Sequence, residues 1–157
     1  MATWQDLTEQ RPDLADAGRN LLYQFGVGLG FLATVRRDGG PRVHPICPLL
    51  HEGALLAFIV PSPKLDDLRR DGRYALHCFP PADDEDAFYV TGRARIVDDP
   101  VRRAAAARQF VEERTVITVP APGDEQALVE LTVDTVLLTR TTGHGDPEPQ
   151  HTVWKAS

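Results

Sequence analysis

Near Gly26 the spacing of apolar positions changes from helical to strand-like. Before it, Leu14, Ala17, Leu21, Leu22 and Phe25 recur at helical spacing, and Pro12 and Asp13 suit a first turn. The pattern predicts a helix over about 12–25. After it, residues 31–36, 42–50, 54–60, 74–79, 87–97 and 127–139 read as strands, and 150–154 as a last one. Two helices interrupt this run, over 64–70 and from about 98 to 113. On the strand 87–97, Tyr89, Thr91, Arg93 and Arg95 share one face. The stretch 116–119 is too short to assign.

The connections narrow the topology. Asp38-Gly39-Gly40 and Glu52-Gly53 are hairpin turns, because these residues tolerate positive φ. Strands joined so tightly run antiparallel, since a parallel pair needs a long crossover. Six or seven of them favour closure into a barrel, which removes exposed edges. Pro45 and Pro48 cannot donate to a ladder, so strand 42–50 must be irregular, bulged or at an edge. The expected product is mainly β (α+β), one domain over 1–157. It has an N-terminal helix at about 12–25, a barrel over about 28–140 and a tail over 141–157.

Composition removes several function classes. The net charge of −6 argues against general nucleic-acid binding, though a locally basic pocket remains compatible with it. No run of about 20 apolar residues exists to span a bilayer. The first residues carry neither a basic segment nor an apolar core, so no secretory signal is expected. Cys47 and Cys78 do not form a CxxC pair, and two free thiols fit a reducing cytoplasm.

The segment Pro61-Ser-Pro-Lys64 carries the clearest chemistry. Ser62 and Pro63 suit the start of the helix over 64–70, where unpaired N–H groups and the helix dipole favour an anion. Lys64 adds a full charge, and Arg42 of the earlier strand is placed to add another. The same residues also fit a plain helix cap with two solvated cations. Asp66 and Asp67, in the first turns, would repel a phosphate unless they point away. His44 and His77 fit a pocket lining or a hydrogen-bonded core position, and Trp154 fits packing on the barrel. The histidines and cysteines show no converging spacing, so no metal is expected. Neither G-x-S-x-G nor G-x-G-x-x-G occurs, and no catalytic residue is legible.

Taken in order, the initial helix, Gly30-Phe-Leu-Ala-Thr-Val35, Gly40-Pro-Arg-Val-His-Pro-Ile46, Ala57-Phe-Ile-Val60, Ser62-Pro-Lys64 and Val90-Thr-Gly-Arg-Ala-Arg-Ile-Val97 resemble the pyridoxamine 5′-phosphate oxidase-like split barrels over roughly 13–140. The resemblance implies a six- to seven-stranded antiparallel split β-barrel with peripheral helices, working as a homodimer with FMN at the subunit interface. It implies an FMN-dependent oxidoreductase acting on a small-molecule substrate. By the same match Arg42, Ser62 and Lys64 contact the phosphate, Val43 and His44 lie along the flavin ring, and the backbone of Phe58 and Ile59 lines it. Pro63, Cys47 and Ala87 depart from the family pattern, at positions where it often carries basic or polar groups. Three alternatives stand beside an FMN enzyme: a deazaflavin-dependent reductase, for whose anionic tail Arg69, Arg70 and Arg73 are candidates; a non-catalytic protein that carries flavin or haem, with His44 or His77 as the haem ligand; and a barrel that has lost its ligand and only dimerises.

Overall fold

The computed structural model describes residues 1–157. In chain order its elements are α1 (Trp4–Gln10), α2 (Pro12–Leu22), β1 (Gly30–Val35), β2 (Pro41–Ile46), β3 (Leu49–His51), β4 (Ala54–Ile59), α3 (Pro63–Arg70), β5 (Arg73–Cys78), β6 (Ala87–Ile96), α4 (Pro100–Glu112), β7 (Ala127–Leu131), β8 (Thr135–Arg140) and β9 (Gln150–Lys155). Every strand pair is antiparallel. The ladder runs β2-β1-β5-β6-β7-β4-β3, and β8 and β9 continue from the first half of β6. This is a split β-barrel with peripheral helices. None of the four helices is long and apolar enough to cross a membrane.

Nine strands replace the expected six or seven, for two local reasons. The segment 42–50 breaks at Cys47-Pro48, where proline cannot continue the ladder. The segment 127–139 breaks at Thr132-Val133-Asp134, where the chain leaves one half of β6 and joins the other. Closure is also incomplete: the ladder has free ends at β2 and β3, which only Cys47-Pro48 joins. Pro41 and Pro45 fit β2 to that edge position. No strand forms over 116–119.

The core lies inside the barrel. Leu32, Leu55, Ile59, Leu76, Val90 and Val129 are buried there, together with Trp4, Leu7, Leu14 and Leu22 from the first two helices. A second, smaller cluster on the outside of β3, β4 and β7 is covered by α4 through Ala106 and Phe110. The carboxylate of Glu130 fastens α4 to this half, accepting from Arg102 at 2.8 Å while Arg95 lies 3.2 Å away. The outside of β2, β1 and β5 has no such cover. Val43, Phe31 and Val153 remain exposed on the strand faces of that half.

Two features of α1 and α2 differ from the expected single helix. Thr3 caps α1 with a reciprocal box: its hydroxyl accepts from the Asp6 N–H, and the Asp6 carboxylate accepts from the Thr3 N–H. Helix α2 stops at Leu22, and Tyr23 to Phe25 form a turn. Gly18 of α2 lies flat on the buried Phe88 ring, where an added Cβ would come within 2.4 Å of Cζ. Alanine would gain up to about 1 kcal/mol of helix propensity but lose about 1–3 kcal/mol to overpacking. Gly18→Ala is therefore expected to lower the thermal midpoint by a few degrees in a melting curve, at about 2–4 °C per kcal/mol. A raised midpoint would contradict this packing.

Candidate functional site

Helix α3 follows β4 directly and packs against β1 and β6. Leu65 and Leu68 anchor it in the main core, which leaves its first turn at the barrel rim. Ser62 occupies the N-cap position in extended conformation, yet its side chain does not cap the helix. Its hydroxyl donates instead to the Val60 carbonyl at 2.8 Å. The first N–H groups of α3 thus lack a side-chain acceptor, and the positive end of the helix stays available to an anion.

Arg42 reaches this helix from β2. It lies opposite Thr34 of β1, so both side chains share one face of the sheet. That face meets α3 at Asp67, which is 3% exposed. The Asp67 carboxylate accepts from Arg42 Nε at 2.8 Å, Thr34 Oγ1 at 2.8 Å and Arg70 Nη2 at 3.2 Å. Arg70 also donates to the Val35 carbonyl. Burial alone would raise the Asp67 carboxyl, but these three donors outweigh it and hold the group below the usual carboxylate range.

The charge count at this corner is positive. One carboxylate faces two guanidiniums, and Lys64 sits one turn before Asp67 with no ion-pair partner. Asp66 is exposed, where water and salt screen it. The Nη groups of Arg42 have no partner in the protein. Ser62 and Lys64 thus stand at the start of α3, and Arg42 meets the same helix further along, at Asp67.

The remaining sequence-predicted residues divide by strand alternation. His44 follows Arg42 by two, shares its face, and is exposed. Val43 lies on the opposite, outer face and is 59% exposed. Ile59 is buried in the main core. Phe58 packs under α4, edge-on to Phe110 with ring centroids 5.8 Å apart. Both side chains are thus taken up in packing. Their backbone is another matter: β3 pairs with β4 only from Ala54 to Leu56, so that edge of β4 is open at 57–59. The opening continues the free edge of β3, at one end of the ladder.

The other expectations divide. His44 and His77 are both exposed rather than core residues, and the His77 ring nitrogen Nδ1 lies 2.6 Å from the Cys78 carbonyl. They sit on opposite faces of the sheet: His44 faces Leu32, and His77 faces Phe31. Trp154 is buried and donates through Nε1 to Gln10 Oε1 at 3.2 Å. Arg73 is clasped by Asp71, and that bond holds the Asp71 carboxyl down at about 2. Asp67 itself is the residue the sequence hides, because nothing local separates it from the exposed Asp66.

A family model described as pyridoxamine 5′-phosphate oxidase matches residues 24–140, and this chain belongs to that family. No curated protein sequence matches it significantly. Among solved structures it is similar to a haem-binding protein from Mycobacterium smegmatis, with TM-score 0.62 and 18% identity over 87% of this chain and 57% of that one. The chain thus spans little more than half of that relative. An FAD-binding protein from Mesorhizobium loti is similar with TM-score 0.55 and 20% identity, over 69% of this chain and 82% of that one. An F420 reductase is similar with TM-score 0.60 and 20% identity, over 75% of this chain and 94% of that one. At these identities the likeness is one of fold.

Proposed function

We propose that this protein is an FMN-dependent oxidoreductase that acts on a small-molecule substrate as a homodimer. One observation supports the reading: helix α3 has an uncapped start that carries the unpaired Lys64, and Arg42 docks on the same helix through Asp67 with its Nη pair uncommitted. The residues present fit the phosphate of a mononucleotide. Arg42 and Lys64 would hold it with charge-assisted bonds, and the free N–H groups of α3 would complete the cradle. His44, on the face of Arg42, and the open backbone edge at Phe58 and Ile59 would border the rest of the cofactor, and Val43 the partner subunit. FMN would supply the two-electron chemistry, while the chain supplies binding, orientation and exclusion of water.

Several features support the second copy. The outer face of β2, β1 and β5 is bare, while α4 covers the equivalent face of β3, β4 and β7. Phe31 stacks on Phe79 there, with centroids 4.4 Å apart, and Phe25 meets Phe79 edge-on. A shallow depression of about 300 Å³ between Ala33, Ala75, Pro41 and Tyr89 lies on the same face. An exposed apolar surface of this kind favours association. The free thiols of Cys47 and Cys78 fit a reducing, cytoplasmic compartment.

The other cofactors find less support. A deazaflavin tail would need free arginines, yet Arg70 and Arg73 are engaged by Asp67 and Asp71. Arg69 opens onto a groove of about 380 Å³ that also carries Asp98, Asp99, Asp124 and Glu125. His44 and His77 lie on opposite faces of the sheet, so one protomer would offer a haem iron a single histidine ligand. Purified protein is expected to sediment at twice the mass of one chain and to take up FMN with a flavin absorption band. A monomer that takes up no flavin, or a Soret band on addition of haem alone, would overturn the reading.

A further inference from the structure

The ion pairs of this protein come in two geometries. Arg11 clasps Asp13 at two points, with Nε 2.9 Å from one carboxylate oxygen and Nη2 2.6 Å from the other. Arg73 clasps Asp71 in the same way, at 2.6 and 2.8 Å. Arg42 differs, meeting Asp67 through Nε alone. The reason lies in the other partners of that carboxylate. Thr34 shares Oδ2 and Arg70 donates to Oδ1, which fixes the turn of the carboxylate, and in that orientation Arg42 meets it through Nε only. A two-point clasp would consume an Nη group; the one-point contact leaves the Nη pair free.

We propose that Asp67 is a positioning residue of the anion site, which with Thr34 and Arg70 pins Arg42 by Nε and keeps its Nη fork for a phosphate. This rests on the reading of the α3 start as a phosphate site. Asp67 touches no ligand itself. It sets the direction in which a flexible arginine presents its donors, and so the preference for a phosphorylated flavin over one without phosphate. Holding the guanidinium in advance removes the ordering cost that binding would otherwise incur. Arg70 contributes by occupying Oδ1, which makes it part of the device although it is exposed.

The test is the ratio of FMN to riboflavin affinity, measured by fluorescence titration of the apo-protein. Wild type is expected to prefer FMN. Asp67→Asn and Arg70→Gln are each expected to reduce that preference by about tenfold or more, with riboflavin affinity changed little. Arg70→Gln keeps the buried carboxylate, so it tests the device even if Asp67→Asn folds poorly. Arg69→Gln, which removes the neighbouring positive charge without touching Asp67, is expected to leave the ratio within about twofold. A wild-type preference retained in both Asp67→Asn and Arg70→Gln would overturn the positioning role and leave the phosphate site standing. An Arg69→Gln loss equal to that of Arg70→Gln would reduce the effect to bulk charge and also overturn it. Equal wild-type affinity for the two flavins would remove the phosphate site and this proposal together.

Discussion

Lys64→Ala is expected to weaken FMN binding by about 10- to 100-fold and riboflavin binding by less than about threefold. A charge-assisted bond to a phosphate is worth about 1.5–3 kcal/mol, and each 1.4 kcal/mol is a factor of ten. Lys64 is half-buried at the α3 start and forms no ion pair, so its removal leaves no buried partner exposed. Stability should therefore change little. Arg42→Ala makes a less clean experiment, because it takes one of three donors from the buried Asp67 carboxylate. That variant should lose FMN affinity and thermal stability together. In both cases the wild-type preference for FMN should shrink as salt is raised, since the site is open to solvent. Isothermal titration with the two flavins at two ionic strengths checks the affinities, and a melting curve checks the stability of Arg42→Ala. A Lys64→Ala loss that is equal for FMN and riboflavin would contradict a phosphate at this helix.

Gly92→Ala is expected to be among the most damaging small substitutions in the fold. Gly92 lies in β6 where the strand exchanges partners: Thr91 pairs with Thr135 of β8, and Ala94 with Leu131 of β7. The corner Thr132-Val133-Asp134 crosses over it. The Thr132 N–H bonds the Arg93 carbonyl, and the Asp134 N–H bonds the Thr91 carbonyl. An added Cβ would lie 1.9 Å from the Thr132 carbonyl oxygen, which is backbone and held by this corner. No rotamer change relieves such a contact. The corner must move and give up bonds, at an expected cost above about 3 kcal/mol. Against a total stability of about 5–15 kcal/mol, the variant should unfold at much lower denaturant concentration or accumulate as aggregate. A denaturation midpoint equal to wild type would mean that the two halves of β6 are not joined in this way.

The positions of most strands along the chain were legible in the sequence because period-two alternation and Gly-containing turns mark them directly. The corner at Thr132-Val133-Asp134 was not, since it holds neither glycine nor proline and the apolar run continues through it. The glycine that permits the corner lies on another strand, some 40 positions earlier. Helix α1 carried a signal that the apolar spacing alone does not weigh: Thr3 followed three residues later by Asp6, with Trp4 and Leu7 turned to the core. At the candidate site, Ser62 and Lys64 were legible from Ser-Pro-Lys as a helix start. The arrival of Arg42 was not, because it depends on the β1–β2 register and on one aspartate of an adjacent pair turning inward. Strand alternation could have separated Val43 from Arg42 and His44. No local rule separates Asp67 from Asp66, and the burial of Asp67 follows only once α3 is docked on β1.

The most direct test of a flavin phosphate at α3 is a ¹⁵N-labelled backbone titration followed by NMR. Adding FMN should move the amide resonances of Lys64 and Leu65 most strongly, while riboflavin at the same occupancy should leave those two nearly in place. Shifts centred on His77 and Tyr89, with Lys64 and Leu65 unmoved by FMN, would contradict it.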